Sequence, residues 1–161
     1  MDYLKIFEQL HQHNVRYLLC GGLAVNIYGV PRMTADIDLI LDFERENLKQ
    51  FEICVVNALY QSQLPISLSL LSDKQERIKL IQDKNLIAFS FFNTKANVMS
   101  MDVLIDVPIL FEELWERKSS RQYDDITIHI VHIDDLIRLK EYSNRKQDKE
   151  DIYLLSQLKN G

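Results

Sequence analysis

Apolar and polar positions along the chain change period several times, and each change marks an element. Residues 2–13 repeat at helical spacing, with Tyr3, Phe7 and Leu10 on one stripe and Asp2 placed to cap it. VRYLLC, residues 15–20, is a short apolar run of the buried-strand kind and stops at the turn signal Gly21-Gly22. LAVNIY continues as a short helix, ended by Gly29 and Pro31. DIDLIL, residues 36–41, alternates: Ile37, Leu39 and Leu41 point one way, Asp36 and Asp38 the other. A long amphipathic helix is predicted from Glu44 to about Gln61. LSLLSDKQERIKLIQDK, residues 68–84, fits either a second helix or a loop with a helix. NLIAFSFF (85–92) and VMSMDVLIDV (98–107) read as strands, and FEELWERK (111–118) as a short helix. DITIHIVHI is a strand by its β-branched alternation. From Asp134 to Leu158 the period is helical again, with a break near Ser143-Asn144.

Strands interleaved with helices predict an α+β (α/β-like) fold, a mixed sheet flanked by helices and closed by a C-terminal helical pair. The expected organisation is a core over residues 1–132 with the helices of residues 133–161 packed on it as a single compact domain. A chain of 161 residues, 47% apolar, suits one such domain. Its net charge of −5 argues against coating nucleic acid over a broad surface. A local basic track remains open, since Arg138, Lys140, Arg145, Lys146 and Lys149 cluster near the C-terminus. Cys20 and Cys54 have no metal-ligand spacing and read as buried thiols. The N-terminal stretch is charged throughout, and no apolar run approaches the ~20 residues needed to cross a bilayer. A cytoplasmic protein with no membrane partner is the expectation.

The stretch with the most chemistry is GGLAVNIYGVPRMTADIDL, residues 21–39. Positions i and i+2 of a strand face the same way at ~3.3 Å rise per residue, so Asp36 and Asp38 converge on one side. Two carboxylates that close resist joint ionisation unless a cation compensates, and a hard ion such as Mg²⁺ is commonly held by one or two carboxylates with substrate phosphates. A strand with one solvated face would show the same pattern. Gly21-Gly22 at a strand-to-helix junction would let a phosphate approach the backbone, but any tight turn uses such a pair. On the later strand Asp102 and Asp106 share a face with Ser100 and offer a third carboxylate, Asp106 standing nearer a turn at Pro108. Carboxylates on two strands beside a phosphate-sized turn are the arrangement of metal-assisted phosphoryl transfer.

GG followed by PRMTADIDL resembles the signature of the nucleotidyltransferase superfamily, the polymerase-β-like fold. More closely it resembles the minimal bacterial proteins related to the AbiEii toxins of type IV toxin–antitoxin systems. DDLIRLKEYSNRKQDKEDIYLL is similar to that family's C-terminal Lys, Arg and Asp, placing them at Lys140, Arg145 and Asp148. The likeness spans residues 15–41 and 98–158. It implies transfer of a nucleoside monophosphate from an NTP to a hydroxyl of RNA or protein, with Mg²⁺ or Mn²⁺ as cofactor and an antitoxin regulator as partner. Gly21 and Gly22 would cradle the triphosphate, Asp36 and Asp38 would bind the metal, and Asp102 would complete the metal site and help activate the acceptor. Arg32 and Thr34 share the face of Asp36; Arg32 would reach a phosphate or the acceptor, or else hold Asp36 in place. Lys140 would stand over the phosphates or lie on a solvated helix face. Asp148 would join the nucleotide site or make a helical pair with Arg145.

The alternative is a non-catalytic nucleotide- or partner-binding module of the same fold. A glycosyltransferase with an Asp-x-Asp is disfavoured, because such folds need a longer chain. His11 and His13, and likewise His129 and His132, are spaced so that they point apart. Trp115 reads as part of a helix docking on the sheet rather than as a base-stacking platform.

Overall fold

The computed structural model describes residues 3–95 and 97–160, the last of these by backbone alone. The helices are α1 (Leu4–Gln12), α2 (Gly21–Ile27), α3 (Arg45–Asn57), α4 (Lys74–Lys84), α5 (Phe111–Arg117), α6 (Ile133–Ser143) and α7 (Lys146–Asn160). The strands are β1 (Tyr17–Cys20), β2 (Asp36–Leu41), β3 (Tyr60–Ser62), β4 (Ala88–Asn93), β5 (Ser100–Leu104), β6 (Ser119–Tyr123) and β7 (Ile126–Ile130). Asp2, expected to cap α1, lies outside the described residues. The strands form one mixed sheet in the order β3-β4-β5-β2-β1-β7-β6, with β2/β5 and β1/β7 parallel and the other pairs antiparallel.

The alternation of DIDLIL sorts the two faces of this sheet. Ile37 and Leu39 are fully buried, together with Leu19, Met101 and Val103 of the neighbouring strands. Phe7 of α1 packs on Tyr17 at 5.9 Å between ring centroids, and Phe51 of α3 meets Phe91 at the same separation. The acidic positions of β2 and β5 emerge on the opposite side, toward α6 and its loop.

Two strands differ from the sequence reading, each for a visible reason. The helix predicted to Gln61 stops at Asn57, because Leu59 takes a left-handed backbone (φ 65°) and the chain turns into β3. Ser119–Tyr123 is too polar to read as a strand, and its residues from Ser120 onward are exposed. As an edge strand it needs no apolar face; it pairs with β7 through a tight turn at Asp124-Asp125, with Asp124 at φ 50°. The ambiguous segment is a 3₁₀ turn, Leu68–Ser72, followed by α4, which Asp73 caps through the amides of Gln75 and Glu76.

Trp115 docks as predicted. It stacks on Phe111, meets His129 edge-on at 5.2 Å, and lies under Arg16 and Lys118. Both cysteines are buried free thiols. Among the described residues no helix is long and apolar enough to cross a membrane.

Candidate active site

The centre of the sheet sets the site. β2 and β5 run parallel with Asp38 opposite Asp102 and Asp36 opposite Ser100. Neighbouring strands lie about 4.8 Å apart, so Asp38 and Asp102 stand side by side on one face. Both open into a cavity of about 630 Å³ between the sheet and α6, within the ~300–1,000 Å³ span of small-molecule sites. Gly21, Lys140 and Arg145 join its wall. Ile87, Leu104, Val107, Pro108, Leu136 and Leu139 make much of the remainder apolar.

Asp38 is the strained member. Burial first, then the charges of Asp102 and Asp36, push its carboxyl up to about 6, against the opposing pull of Arg145 and Lys140. Asp36 accepts a hydrogen bond from the Ser100 hydroxyl and does not line the cavity. Cys20, also on the wall, donates from Sγ to the Asp38 carbonyl at 3.4 Å. Burial and then the Asp38 charge raise its thiol well above the ordinary range, so it is not a nucleophile.

The glycine pair has a tighter purpose than a generic turn. Gly21 sits at φ +64°, and a Cβ there would fall 1.8 Å from Asp38 Oδ2. A Cβ on Gly22 would come within 2.7 Å of Thr34 Oγ1 and 3.1 Å of Arg32 Cζ. Close approach at these positions is therefore made by the protein's own carboxylate and by the loop leading into β2. Gly21→Ala is expected to lower stability by about 1–3 kcal/mol, combining left-handed strain with displacement of Asp38. Thermal melting measures it, and an unchanged melting temperature would contradict this packing.

Arg32 and Lys140 meet at a residue the sequence reading passed over. Asp151 of α7 pairs with Arg32 Nη1 and accepts from Lys140 Nζ at 2.6 Å. Lys140 also reaches Asp148 at 3.3 Å, and it is 4% exposed. Arg32 is thus held neither by Asp36 nor free at the surface, and Lys140 does not lie on a solvated helix face. Thr34 donates to the Asp36 carbonyl at 3.3 Å, bracing the entry to β2. Asp148 binds the Ser143 hydroxyl, the Arg145 backbone amide and the Arg145 side chain. Burial pushes its carboxyl up, but the Ser143 and Arg145 amide hydrogen bonds with the nearby cations outweigh it and leave the group below the ordinary range. The bond to the Arg145 amide is the returning half of a capping box at the start of α7.

Of the ten residues singled out from sequence, five line the cavity: Gly21, Asp38, Asp102, Lys140 and Arg145. Gly22, Arg32, Thr34 and Asp148 are not in the lining, and Asp36, beside Asp38 on the same strand face, is held by the Ser100 hydroxyl. A signal for Asp151 was present, since it follows Asp148 by three and shares its helix face, while Lys140 follows buried Leu136 by four. Asp106 lies beyond the end of β5, away from Asp38, yet lines the same cavity.

Among the described residues, no group of three or more His, Cys, Asp or Glu side chains is gathered as a metal-binding cluster. The donor set does fit a hard divalent ion that takes two protein carboxylates and draws its other ligands from water and phosphate. Asp38 and Asp102 supply those two, side by side on β2 and β5 at the cavity wall.

Comparison with known proteins gives the architecture. No family model matches the chain, and no curated protein matches it by sequence. Among solved structures it is similar to the lincosamide antibiotic adenylyltransferase LnuA, with lincomycin bound, at a TM-score of 0.63 and 12% identity, covering 98% of this chain and 96% of that one. The fold is a nucleotidyltransferase fold. ANT(2")-Ia in complex with adenylyl-2"-tobramycin is similar at a TM-score of 0.56 and 12% identity, over 96% and 86% of the two chains. TM1012 from Thermotoga maritima, provisionally described as a nucleotidyltransferase, is similar at 0.54 and 14%, over 99% and 91%. The AbiEii relatives that the sequence resembles are not among these structures. Within this fold Asp38 and Asp102 face the cavity between the sheet and α6.

Proposed function

We propose that the protein is a nucleotidyltransferase that transfers a nucleoside monophosphate from an NTP to the hydroxyl of a small molecule. The observation that carries this is the pairing of Asp38 with Asp102 on the wall of one cavity, with Gly21 against Asp38. Asp38 and Asp102, with Asp36 beside Asp38 on the same strand face, would hold Mg²⁺ or Mn²⁺. The ion, when bound, supplies neutralisation of phosphate charge and polarisation of the α-phosphoryl group. Lys140 and Arg145 bring positive charge to the same wall and suit the triphosphate. Asp102 accepts the proton of the attacking hydroxyl, whose oxygen bonds to the α-phosphorus as the bridging α–β bond breaks and pyrophosphate leaves. The rest of the catalysis is positioning, which the network behind the wall provides.

A small acceptor suits the site better than RNA or protein. The basic cluster read from the sequence is smaller than it looked: Lys140 is buried, while Arg138 and Arg145 are exposed but paired with Asp135 and Asp148, leaving Lys146 and Lys149 exposed on α7. In a chain of net charge −5 that is a short basic track for RNA. The two similar antibiotic-related structures, with lincomycin and adenylyl-2"-tobramycin, support the same direction. A toxin acting on RNA or protein under an antitoxin rests on the AbiEii-like residue pattern alone.

The test is label transfer from α-phosphate-labelled NTPs with Mg²⁺, offered a small-hydroxyl panel and, in parallel, bulk RNA and protein. Asp102→Asn is expected to abolish transfer, by about 10³-fold or more as for loss of a group acting on the transition state. Asp106→Asn is expected to cost far less. The reverse order would show Asp106 to be the carboxylate at the reacting centre.

A further inference from the structure

Resting on the reading of the cavity as the transfer site, we infer that the acceptor carries a positive charge, an amine or similar cation, which Asp106 recognises at the end of the cavity away from Asp38 and Asp102. Asp106 stands four residues beyond Asp102, past the end of β5, where the Ile105 and Asp106 amides both donate to the Ile87 carbonyl. Asp106 is fixed in place: its Oδ2 accepts from the Tyr142 hydroxyl at 3.0 Å, and its backbone amide reaches the Ile87 carbonyl. Its Oδ1 has no hydrogen-bond partner among the described residues, and no ion pair involves it there.

Charge around the cavity points the same way. Asp38, Asp102 and Asp106 all line it without a salt bridge among the described residues. The two lining cations, Lys140 and Arg145, are both engaged by Asp148, and Lys140 by Asp151 as well. The wall between the two acidic ends is apolar, from Leu104, Val107, Pro108 and Leu139, with exposed Ile87 and Tyr142 at the mouth. An acceptor that fits has an apolar body, a hydroxyl at the inner end and a cation at the outer end. An anionic acceptor would meet Asp106 as a like charge, and a fully polar one would leave the apolar wall uncovered.

The experiment uses the intact protein with Mg²⁺, labelled NTPs and a series of amino alcohols and aminocyclitols, each beside its N-acetylated counterpart. The expected result is transfer to amine-bearing members at about tenfold higher kcat/KM than to their acetylated forms, the scale of one well-placed ion pair. Asp106→Asn should bring that ratio to about one by raising acceptor KM, with the KM for NTP unchanged. Tyr142→Phe keeps the carboxylate and should retain the preference. Equal use of the two forms by the native protein, or a preference that survives Asp106→Asn, overturns the inference. So does metal-dependent NTP binding, measured by calorimetry, with label passing to RNA or protein alone or to none of the small acceptors. Absence of NTP binding would instead overturn the nucleotidyltransferase reading itself.

Discussion

Asp38→Asn should yield a protein that is more stable than the native one at neutral pH and inactive in transfer. The carboxyl of Asp38 is pushed up from the ordinary 3.8 to about 6 in the folded state, by burial and by Asp102 and Asp36. An acid whose folded value is raised binds more protons folded than unfolded between those two values. Native stability therefore falls as pH rises from about 4 through about 6, and the loss is complete above that. At 1.36 kcal/mol per unit this is about 2–3 kcal/mol, which the neutral amide does not lose. At pH 8 the variant should melt about 5–10 °C above the native protein, and at pH 4 the two should coincide. Mg²⁺ with NTP should stabilise the native protein and leave the variant unmoved, because binding to the folded state alone raises stability by mass action. The variant thus separates the carboxylate's cost in folding from its use in binding, the trade expected of a strained functional residue. Equal melting temperatures at pH 8, or a variant less stable than native there, would contradict the electrostatic account of Asp38.

The second large effect is at Asp151, and it is opposite in sign. Asp151→Ala removes the carboxylate that holds both Lys140 and Arg32. Lys140 is 4% exposed and would keep only Asp148 at 3.3 Å. Breaking a buried charge pair from one side costs about 3–5 kcal/mol, because the remaining charge stays desolvated. Arg32 would also lose its anchor, and with it the packing of its loop against Gly22. Denaturant unfolding should show this loss, and Asp151→Glu should recover part of it. A change below about 1 kcal/mol would mean that water or another group takes the place of Asp151.

Most of the fold was legible in the sequence because its elements are strongly periodic. DIDLIL places its acids and its core residues by alternation alone, and that alternation aligned Asp38 with the cavity. The break at Ser143-Asn144 was readable for a similar reason; Asn144 takes the left-handed conformation that ends α6. What was not legible depended on tertiary contact. Ser119–Tyr123 has no apolar pattern, since an edge strand is held by backbone pairing. The helix ending at Asn57 was hidden because Leu59, a residue with no turn preference, adopts the left-handed turn. Within the site, spacing brought Asp36 and Asp38 to one face but could not show that Ser100 would hold Asp36 or that Asp38 would stand opposite Asp102. Nor could it show that Arg32, far away in sequence, shares one carboxylate with Lys140.

The central claim is that Asp38 and Asp102 form a metal-dependent nucleotide site in this cavity. Calorimetric titration of a non-cleavable NTP analogue into the native protein at pH 8, with and without Mg²⁺, tests it most directly. The account predicts saturable one-to-one binding that requires Mg²⁺ and disappears in Asp38→Asn, a variant expected to be fully folded. No binding by the native protein, or binding that is equally strong without metal and in the variant, would contradict it.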